Sequence, residues 1–237
     1  MPSKSEIALF VTIELLRKSS VRGYEEPEQI ASIAAAANAL ADLLYSGDSM
    51  ALPDNILVQS GTAIVFADTT DHAPGATASN NLGTRTHQID LTGVADSAAR
   101  QSDKVDLGAT RAEVYSVTAA FEIAATPTAG EVIELWWAPS PSGTAGQGNP
   151  GAVAGADAAY AGYSSNMAAA IRQLQFIGDF VCTAQATGTI QVGIVGNLRP
   201  KHRYGTLVVR NESGAALHSD AVEMSVLLLP IAGVVTD

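Results

Sequence analysis

Few residues of this chain are spaced as a catalytic or metal site requires. The densest group of possible ligands is Asp68, Asp71 and His72, but it lacks the alternating oxygen ligands of a calcium loop. The four histidines are scattered, and the single cysteine leaves no Cys pair for zinc. We interpret the group as a surface turn, with a weak cation site as the alternative.

The glycines at 143, 146, 148 and 151 are the nearest approach to a phosphate-binding loop. Such a loop needs a helix start behind it, and Pro150 with the Ala/Gly run after it supplies none. Residues 139–155 are therefore expected to form a long flexible loop. Cys182 lies on the apolar phase of a predicted strand, which indicates a buried thiol rather than a nucleophile. The sequence predicts no catalytic residue, no metal site and no cofactor.

Both tryptophans lie in the stretch 113–138, around which the fold is expected to be organised. Alternating apolar residues predict two strands joined by a turn; the positions on one side are Tyr115, Val117, Ala119, Phe121 and Ile123 in the first run, and Ile133, Leu135 and Trp137 in the second. Trp136 and Trp137 point to opposite faces of the second strand. One is expected in the core, and the other at the surface, as a subunit contact or a sugar platform.

The composition excludes some partners. The 237 residues include 24 acidic and 13 basic side chains, for a net charge of -11, which disfavours binding to nucleic-acid phosphate. No apolar run reaches the ~20 residues of a membrane span. The one basic cluster contains Arg199, Lys201 and Arg203, and it is read either as a contact for an acidic patch on a partner subunit or as a solvated turn.

Residues 1–50 differ from the rest because their apolar side chains recur at helical spacing. They predict two helices, one containing Ile7, Phe10 and Val11 and the next Ile30, Ile33 and Leu40. Two interpretations stay open: a helical hairpin packed on its own domain, or an arm that docks onto a neighbouring subunit. Residues 51–237 are assigned to a second, β-rich domain.

From residue 56 onward, short apolar runs alternate with turn residues. Residues 68–84 and 95–106 are polar, which predicts connecting segments. Residues 156–170 fit either a short helix or a packed loop. The last strand is expected to end at Pro230. About eight strands at even spacing predict a mainly β fold, an antiparallel β-sandwich or jelly roll with a short N-terminal α-helical arm.

Two segments carry a resemblance to bacteriophage virion proteins: AGEVIELWWAPSPSG at 129–143 and LVVRNESGAALHSDAVEMSVLLLPI at 207–231. With the acidic Ala/Gly/Thr-rich composition, they are similar in style to β-sandwich proteins that decorate phage heads, form head spikes or sit on tails. The resemblance implies a homo-oligomer, with a trimer favoured, docked on capsid or tail subunits and without catalysis.

The expected function is therefore that of a non-enzymatic structural protein, made in the bacterial cytoplasm and located in the virion, with other virion proteins as partners. The alternative is a host-recognition or carbohydrate-binding module that binds a host glycan with an exposed tryptophan and the long loops. An enzyme such as a glycan depolymerase ranks third, and would require a pair of carboxylates within ~10 Å in a cleft.

Overall fold

The structure is a computed structural model that describes residues 61–231, the strand segments 57–59 and 233–235, and the single residue Ala35. The predicted N-terminal helices, with Ile7, Phe10, Val11, Ile30, Ile33 and Leu40, lie outside the described residues. The described strands belong essentially to one unit of the chain, Val58–Val234.

The described part of the chain is mainly β, which confirms the predicted fold class at that level. It forms twelve strands: β1 Leu57–Gln59, β2 Ile64–Ala67, β3 His87–Gln88, β4 Ala99–Asp106, β5 Val114–Glu122, β6 Val132–Ser140, β7 Ala158–Tyr160, β8 Gln175–Val181, β9 Ile190–Leu198, β10 Tyr204–Glu212, β11 Ser225–Ile231 and β12 Gly233–Val235. Within residues 61–231, helix is limited to α1, Met167–Ala170, and to 3-10 turns at Pro150–Ala152 and Ile171–Gln173.

Ten of these strands form two five-stranded sheets. The first sheet has the order β3-β2-β11-β5-β9 and the second has the order β7-β4-β10-β6-β8, while β1 and β12 form a separate pair. The strand pairs in both sheets are antiparallel except β2 with β3. The predicted strands of the stretch 113–138 exist as β5 and β6, but they do not pair with each other, because the chain crosses from one sheet to the other between them.

One hydrophobic core is shared by the two sheets. Phe121 of the first sheet and Phe180 of the second meet edge to face, with ring centroids 5.0 Å apart. All eight residues predicted to lie on one side of the two runs, from Tyr115 to Ile123 and from Ile133 to Trp137, belong to this core. At one edge, β8 and β9 approach so closely that a Cβ on Gly196 would lie 2.6 Å from the carbonyl oxygen of Ile177. Only glycine permits that approach.

Strand β4 was not expected, because the segment 95–106 is polar. Its polar side chains are buried with hydrogen-bond partners, which removes the usual cost of burying them. The hydroxyl of Ser102 accepts from the amide of Leu207 at 3.0 Å, and the carbonyl oxygen of the Gln101 side chain accepts from the amide of Ala154 at 2.7 Å. β4 therefore lies between β7 and β10 as a full member of the second sheet.

The last strand of the first sheet also extends further than expected. β11 continues through Pro230 to Ile231. Its pairing with β2 ends at Leu228, so that Pro230 has a paired neighbour on the β5 side alone. A proline is tolerated there because it has no amide hydrogen to offer to a second neighbour.

Candidate interaction surface

The outer face of the second sheet is partly covered by the chain itself. Residues 141–174, between β6 and β8, fold onto it and build a second hydrophobic cluster; its buried members are Ala99, Ala138, Val153, Tyr160, Ala170, Ile171, Leu174 and Val208. Trp136 packs against this cluster, lies 4.7 Å from the ring of Phe176, and donates to Glu134 at 3.1 Å. Trp137 is fully buried in the main core.

A single lysine fixes the loop that leads into this covering segment. The ammonium group of Lys104 donates to the hydroxyl of Ser140 at 3.0 Å and to the backbone carbonyls of Ser142, Thr144 and Gln147 at 3.0, 2.7 and 2.8 Å. Burial lowers the pKa of Lys104. The glycine-rich loop is thus held by Lys104 at three backbone carbonyls, whereas the sequence predicted a flexible loop.

We expect the Lys104→Met variant to release this loop. Hydrogen bonds from a charged donor contribute roughly 1.5–3 kcal/mol each, but the acceptors here are near solvent and regain water, so the free energy of unfolding should fall by about 1–3 kcal/mol in total. Limited proteolysis should cut within residues 141–149 faster than in the parent chain. Lys201→Met, at an exposed position, is the matched control. Equal cleavage rates in both variants would contradict the assigned role of Lys104.

The uncovered remainder of this outer face is charged. Arg210 donates to Glu134 at 3.2 Å and also pairs with Glu212, and Asp179 lies opposite Glu134 on the next strand. Burial, together with the nearby Glu134, raises the pKa of Asp179. Where the chain does not cover it, this face thus presents these charges beside the exposed side chains of Phe176 and Val181.

The predicted ligand group at 68–72 builds a turn. One carboxylate oxygen of Asp68 accepts from the amides of Thr70 and Asp71 at 2.6 and 3.2 Å, and the other accepts from the side chain of Gln88 at 3.2 Å. Burial lowers the pKa of His72. Within residues 61–231, no group of three or more His, Cys, Asp or Glu side chains is arranged to hold a metal ion.

A partly buried ion pair joins the same region to the second sheet. Arg100 donates to Asp157 at 2.8 Å, and Asp157 also accepts from the amide of Asp90 and from the Gln88 side chain, at 3.1 and 3.3 Å. Although burial opposes it, the hydrogen bonds from Arg100 and from the Asp90 amide lower the pKa of Asp157. These charged groups are engaged in holding β3, β4 and β7 together.

The predicted basic cluster lies in the turn between β9 and β10, and its side chains make different contacts. Arg203 makes two hydrogen bonds of 2.7 Å to the carboxylate of Asp106, and its guanidinium lies 5.1 Å from the ring centroid of Tyr204. The hydrogen bonds from Arg203 lower the pKa of Asp106. Arg199 and Lys201 are exposed, and the ion pairs found within residues 61–231 do not include them.

The outer face of the first sheet differs from that of the second sheet in its charge. Along its three adjacent strands β11, β5 and β9, thirteen side chains point away from the core. Glu122, at the end of β5, is charged, but it is only 7% exposed and lies 3.5 Å from His218; the other twelve are uncharged. We call these residues the uncharged face: Val114, Ser116, Thr118 and Ala120 on β5; Ile190, Val192, Ile194 and Asn197 on β9; Ser225, Leu227, Leu229 and Ile231 on β11. Within it, Ile194 is 78% exposed, Leu229 49%, Ile231 47% and Val192 43%.

The uncharged face has a defined relief. The aliphatic side chains form two rows, on β9 and on β11, and the central strand β5 carries the smaller Ser116, Thr118 and Ala120 between them. Neighbouring strands are ~4.8 Å apart, so the two rows are separated by ~10 Å. The surface is therefore a shallow groove between two aliphatic ridges.

Sequence reasoning did not single out this surface, although a signal for it exists. In the runs QVGIV and SVLLLPI, aliphatic residues occupy both phases of the strand. An antiparallel strand with one face in water usually alternates apolar with polar residues, whereas a strand that is apolar on both phases is typically covered on both sides. The predicted interaction residues Trp136, Trp137, Arg199, Lys201 and Arg203 all lie outside the uncharged face.

The chain offers one native thiol, and it is well protected. Cys182 is buried in the main core, and burial, with a smaller effect of Glu131, raises its pKa to about 11. The reactive thiolate is therefore scarce at pH 8. We expect a thiol reagent to label native protein at least about a hundredfold more slowly than urea-unfolded protein, since both access and ionisation are reduced. Rapid labelling of the native protein would show that the strand end at Cys182 opens.

No known protein family matches this chain, and no curated protein is similar to it in sequence. None of the helices in the described part is both long and apolar enough to cross a membrane.

Proposed function

We propose that this chain is a non-enzymatic structural protein of a virus particle, which decorates or stabilises the capsid or tail through protein–protein contacts. The observation that carries the proposal is the uncharged face, a bare aliphatic sheet surface on an acidic protein. Monomeric soluble proteins rarely expose large contiguous apolar patches, and such patches commonly mark contact sites. The resemblance of residues 129–143 and 207–231 to phage virion proteins supports the choice of a virus particle.

The strand order supports a more specific fold, and we propose that the two sheets form a jelly-roll sandwich. The eight main strands in chain order are β2, β4, β5, β6, β8, β9, β10 and β11. Their pairs include the first with the eighth, the second with the seventh, the third with the sixth and the fourth with the fifth. A long hairpin rolled into two sheets has this pairing. Viral capsid and lectin domains are among the proteins that use this fold, and the fold alone does not imply a function.

The proposal assigns no catalytic role. Three ionisable groups with a shifted pKa are held in structural contacts: Lys104 by the loop carbonyls, Asp157 by Arg100, and Asp106 by Arg203. Each of these contacts connects strands or loops.

The proposal is tested by following the full chain into particles. Virus particles from the host that carries the gene are purified on a density gradient, and the chain is quantified by mass spectrometry. We expect the chain to sediment with the particles in a fixed ratio to the major capsid protein. A chain that stays in the soluble fraction, while complete particles form, would overturn the proposal.

A second candidate, host-glycan recognition, is favoured by one feature. A shallow groove of about 420 Å³ lies between β8 and β9, and its lining includes the hydrogen-bonding side chains of Asp179, Thr183, Gln185 and Gln191. Neither tryptophan lines the groove. Binding on a glycan array that is lost in Gln185→Ala, with the melting temperature unchanged, would favour recognition over assembly.

A further inference from the structure

The uncharged face contrasts with the rest of this acidic chain. Acidic residues outnumber basic ones by 24 to 13, yet the one charged side chain among the thirteen outward positions of β5, β9 and β11 is Glu122, which is 7% exposed. On the opposite outer face, Glu134, Asp179, Arg210 and Glu212 lie beside the exposed Phe176 and Val181. The lack of charge is therefore specific to one side of the molecule.

The charge distribution identifies the kind of partner that fits this face. An acidic protein that docks onto a basic partner gains from carboxylates in the contact, because complementary potentials steer and align the two surfaces. An acidic protein that docks onto its own copy must keep its carboxylates out of the contact, since like charges brought together in a desolvated interface cost several kcal/mol. A face with no charge on a chain of net charge -11 matches the second case.

The ridges and the groove of the uncharged face fit those of a second copy. Two copies related by a two-fold axis can be offset by one strand spacing, ~4.8 Å, so that the β9 row of each lies in the groove over β5 of the other. Ile194 of one copy then fills the space above Thr118 of its partner, and the reverse contact forms at the same time. Such an isologous contact closes after two copies, and stacked sheets pack ~10 Å apart.

We propose that the uncharged face binds a second copy of this chain in a two-fold, sheet-on-sheet contact. The inference rests on the proposed function, because it names the partner of the surface that carries it. The aliphatic rows form the apolar centre, and the polar residues around the face form the rim, as in other specific interfaces. The mass in solution is then twice the chain mass of 24.4 kDa, or another even multiple if a further surface also associates, in place of the trimer that the resemblance to phage virion proteins favours.

The first test is the molar mass of the full chain by sedimentation equilibrium, compared with two charged variants. Ile194→Glu places a carboxylate at the centre of the contact, and we expect it to weaken self-association by roughly thirtyfold or more. Tyr163→Glu is the matched control, because Tyr163 is 52% exposed but belongs to the segment that covers the other sheet. The control should associate as the parent chain does.

Salt provides an independent readout on the parent chain. Raising sodium chloride from 0.05 to 1 M screens repulsion between acidic copies, so association through the uncharged face should be strengthened or unchanged. A contact built on opposite charges would weaken instead. Weakening would overturn the proposal, as would a parent chain that is monomeric, that forms an odd-numbered oligomer, or that associates equally well as Ile194→Glu.

Crosslinking keeps the proposal testable if Ile194→Glu fails to fold. Thr118→Cys chains are mixed with Ile194→Cys chains and treated with a bismaleimide spanning ~10 Å, the expected separation of the sheets. Cys182 is buried and stays unmodified. We expect covalent dimers in the mixture, and none when Tyr163→Cys chains replace one component. The absence of dimers at a concentration where the parent chain associates would contradict the assigned face.

The outcomes separate this inference from the proposed function. Particle incorporation without self-association would retain the virion role and assign the face to a different virion protein, which overturns the two-fold contact. Self-association through the face without particle incorporation would confirm the contact and overturn the virion role.

Discussion

The Trp137→Ala variant is expected to lose about 3–5 kcal/mol of unfolding free energy, as large-to-small changes of buried aromatic residues do. Trp137 is fully buried between the two sheets, so its removal leaves a cavity that the rigid strands β6 and β10 cannot close. A domain of this size is commonly stable by only 5–15 kcal/mol. The midpoint of urea unfolding, followed by far-UV circular dichroism, measures the loss.

Trp136→Ala is the natural control, because it changes the neighbouring residue of the same strand on the opposite face. Trp136 is only partly buried and packs against Phe176, so its truncation should cost less than half as much. Equal losses in the two variants would show that the main core does not lie on the Trp137 side of β6.

The Gly205→Ala variant is expected to be nearly as destabilising, although it adds a single methyl group. A Cβ at this position would overlap the indole of Trp137, with its Nε1 only 2.6 Å away. Overpacking of a core usually costs about 1–3 kcal/mol and occasionally more; here we expect at least about 3 kcal/mol, because the clash is with a buried ring that has no room to move.

A double-mutant cycle tests that cause. If the methyl group of Gly205→Ala is harmful because it meets the indole, the same change made in the Trp137→Ala background should cost little, since the cavity accepts it. The two effects are then strongly non-additive. Additive losses would mean that Gly205 is needed for its backbone conformation and not for the ring above it.

Local patterns in the sequence were sufficient to predict which side chains share a face of a strand. They were not sufficient to predict which strands pair. The alternation around Tyr115 and Trp137 predicted correctly which side chains share a face, because side-chain direction in a strand depends only on position parity. It did not predict which of the two tryptophans enters the core. Pairing depends on where the chain goes next. The turn after β5 carries it into the other sheet, and nothing within residues 123–131 distinguishes that crossing from a hairpin.

Two other differences between the predicted and the observed structure share a cause. In both, polar groups form hydrogen bonds with partners that are distant in the sequence. β4 contains Ser102 and Gln101 at buried positions, and their partners lie 105 and 53 residues away in the chain. The glycine-rich loop is fixed by Lys104, which precedes it by about 40 residues. Local composition predicted exposed connections in both cases, because such partners are visible only in the folded chain.

The sequence predicts a protein that works by contacts, but it does not predict where the candidate surface lies. The composition and the lack of a catalytic pattern pointed to a protein that works by contacts, and attention fell on Trp136, Trp137 and the basic turn. The structure instead places the uncharged face on β5, β9 and β11. That set is assembled from strands distant in sequence, so no local window contains it.

The central claim, that the uncharged face is a contact surface, is tested most directly by hydroxyl-radical footprinting of the assembled protein. Oxidation of Ile194, Leu229 and Ile231 is compared with that of Tyr163 and Phe176, in dilute protein and in the associated or particle-bound form. We predict that the first three side chains become protected on assembly while the last two keep their reactivity. Unchanged oxidation of Ile194 and Leu229, with protection of Phe176, would contradict the claim and move the contact to the second sheet.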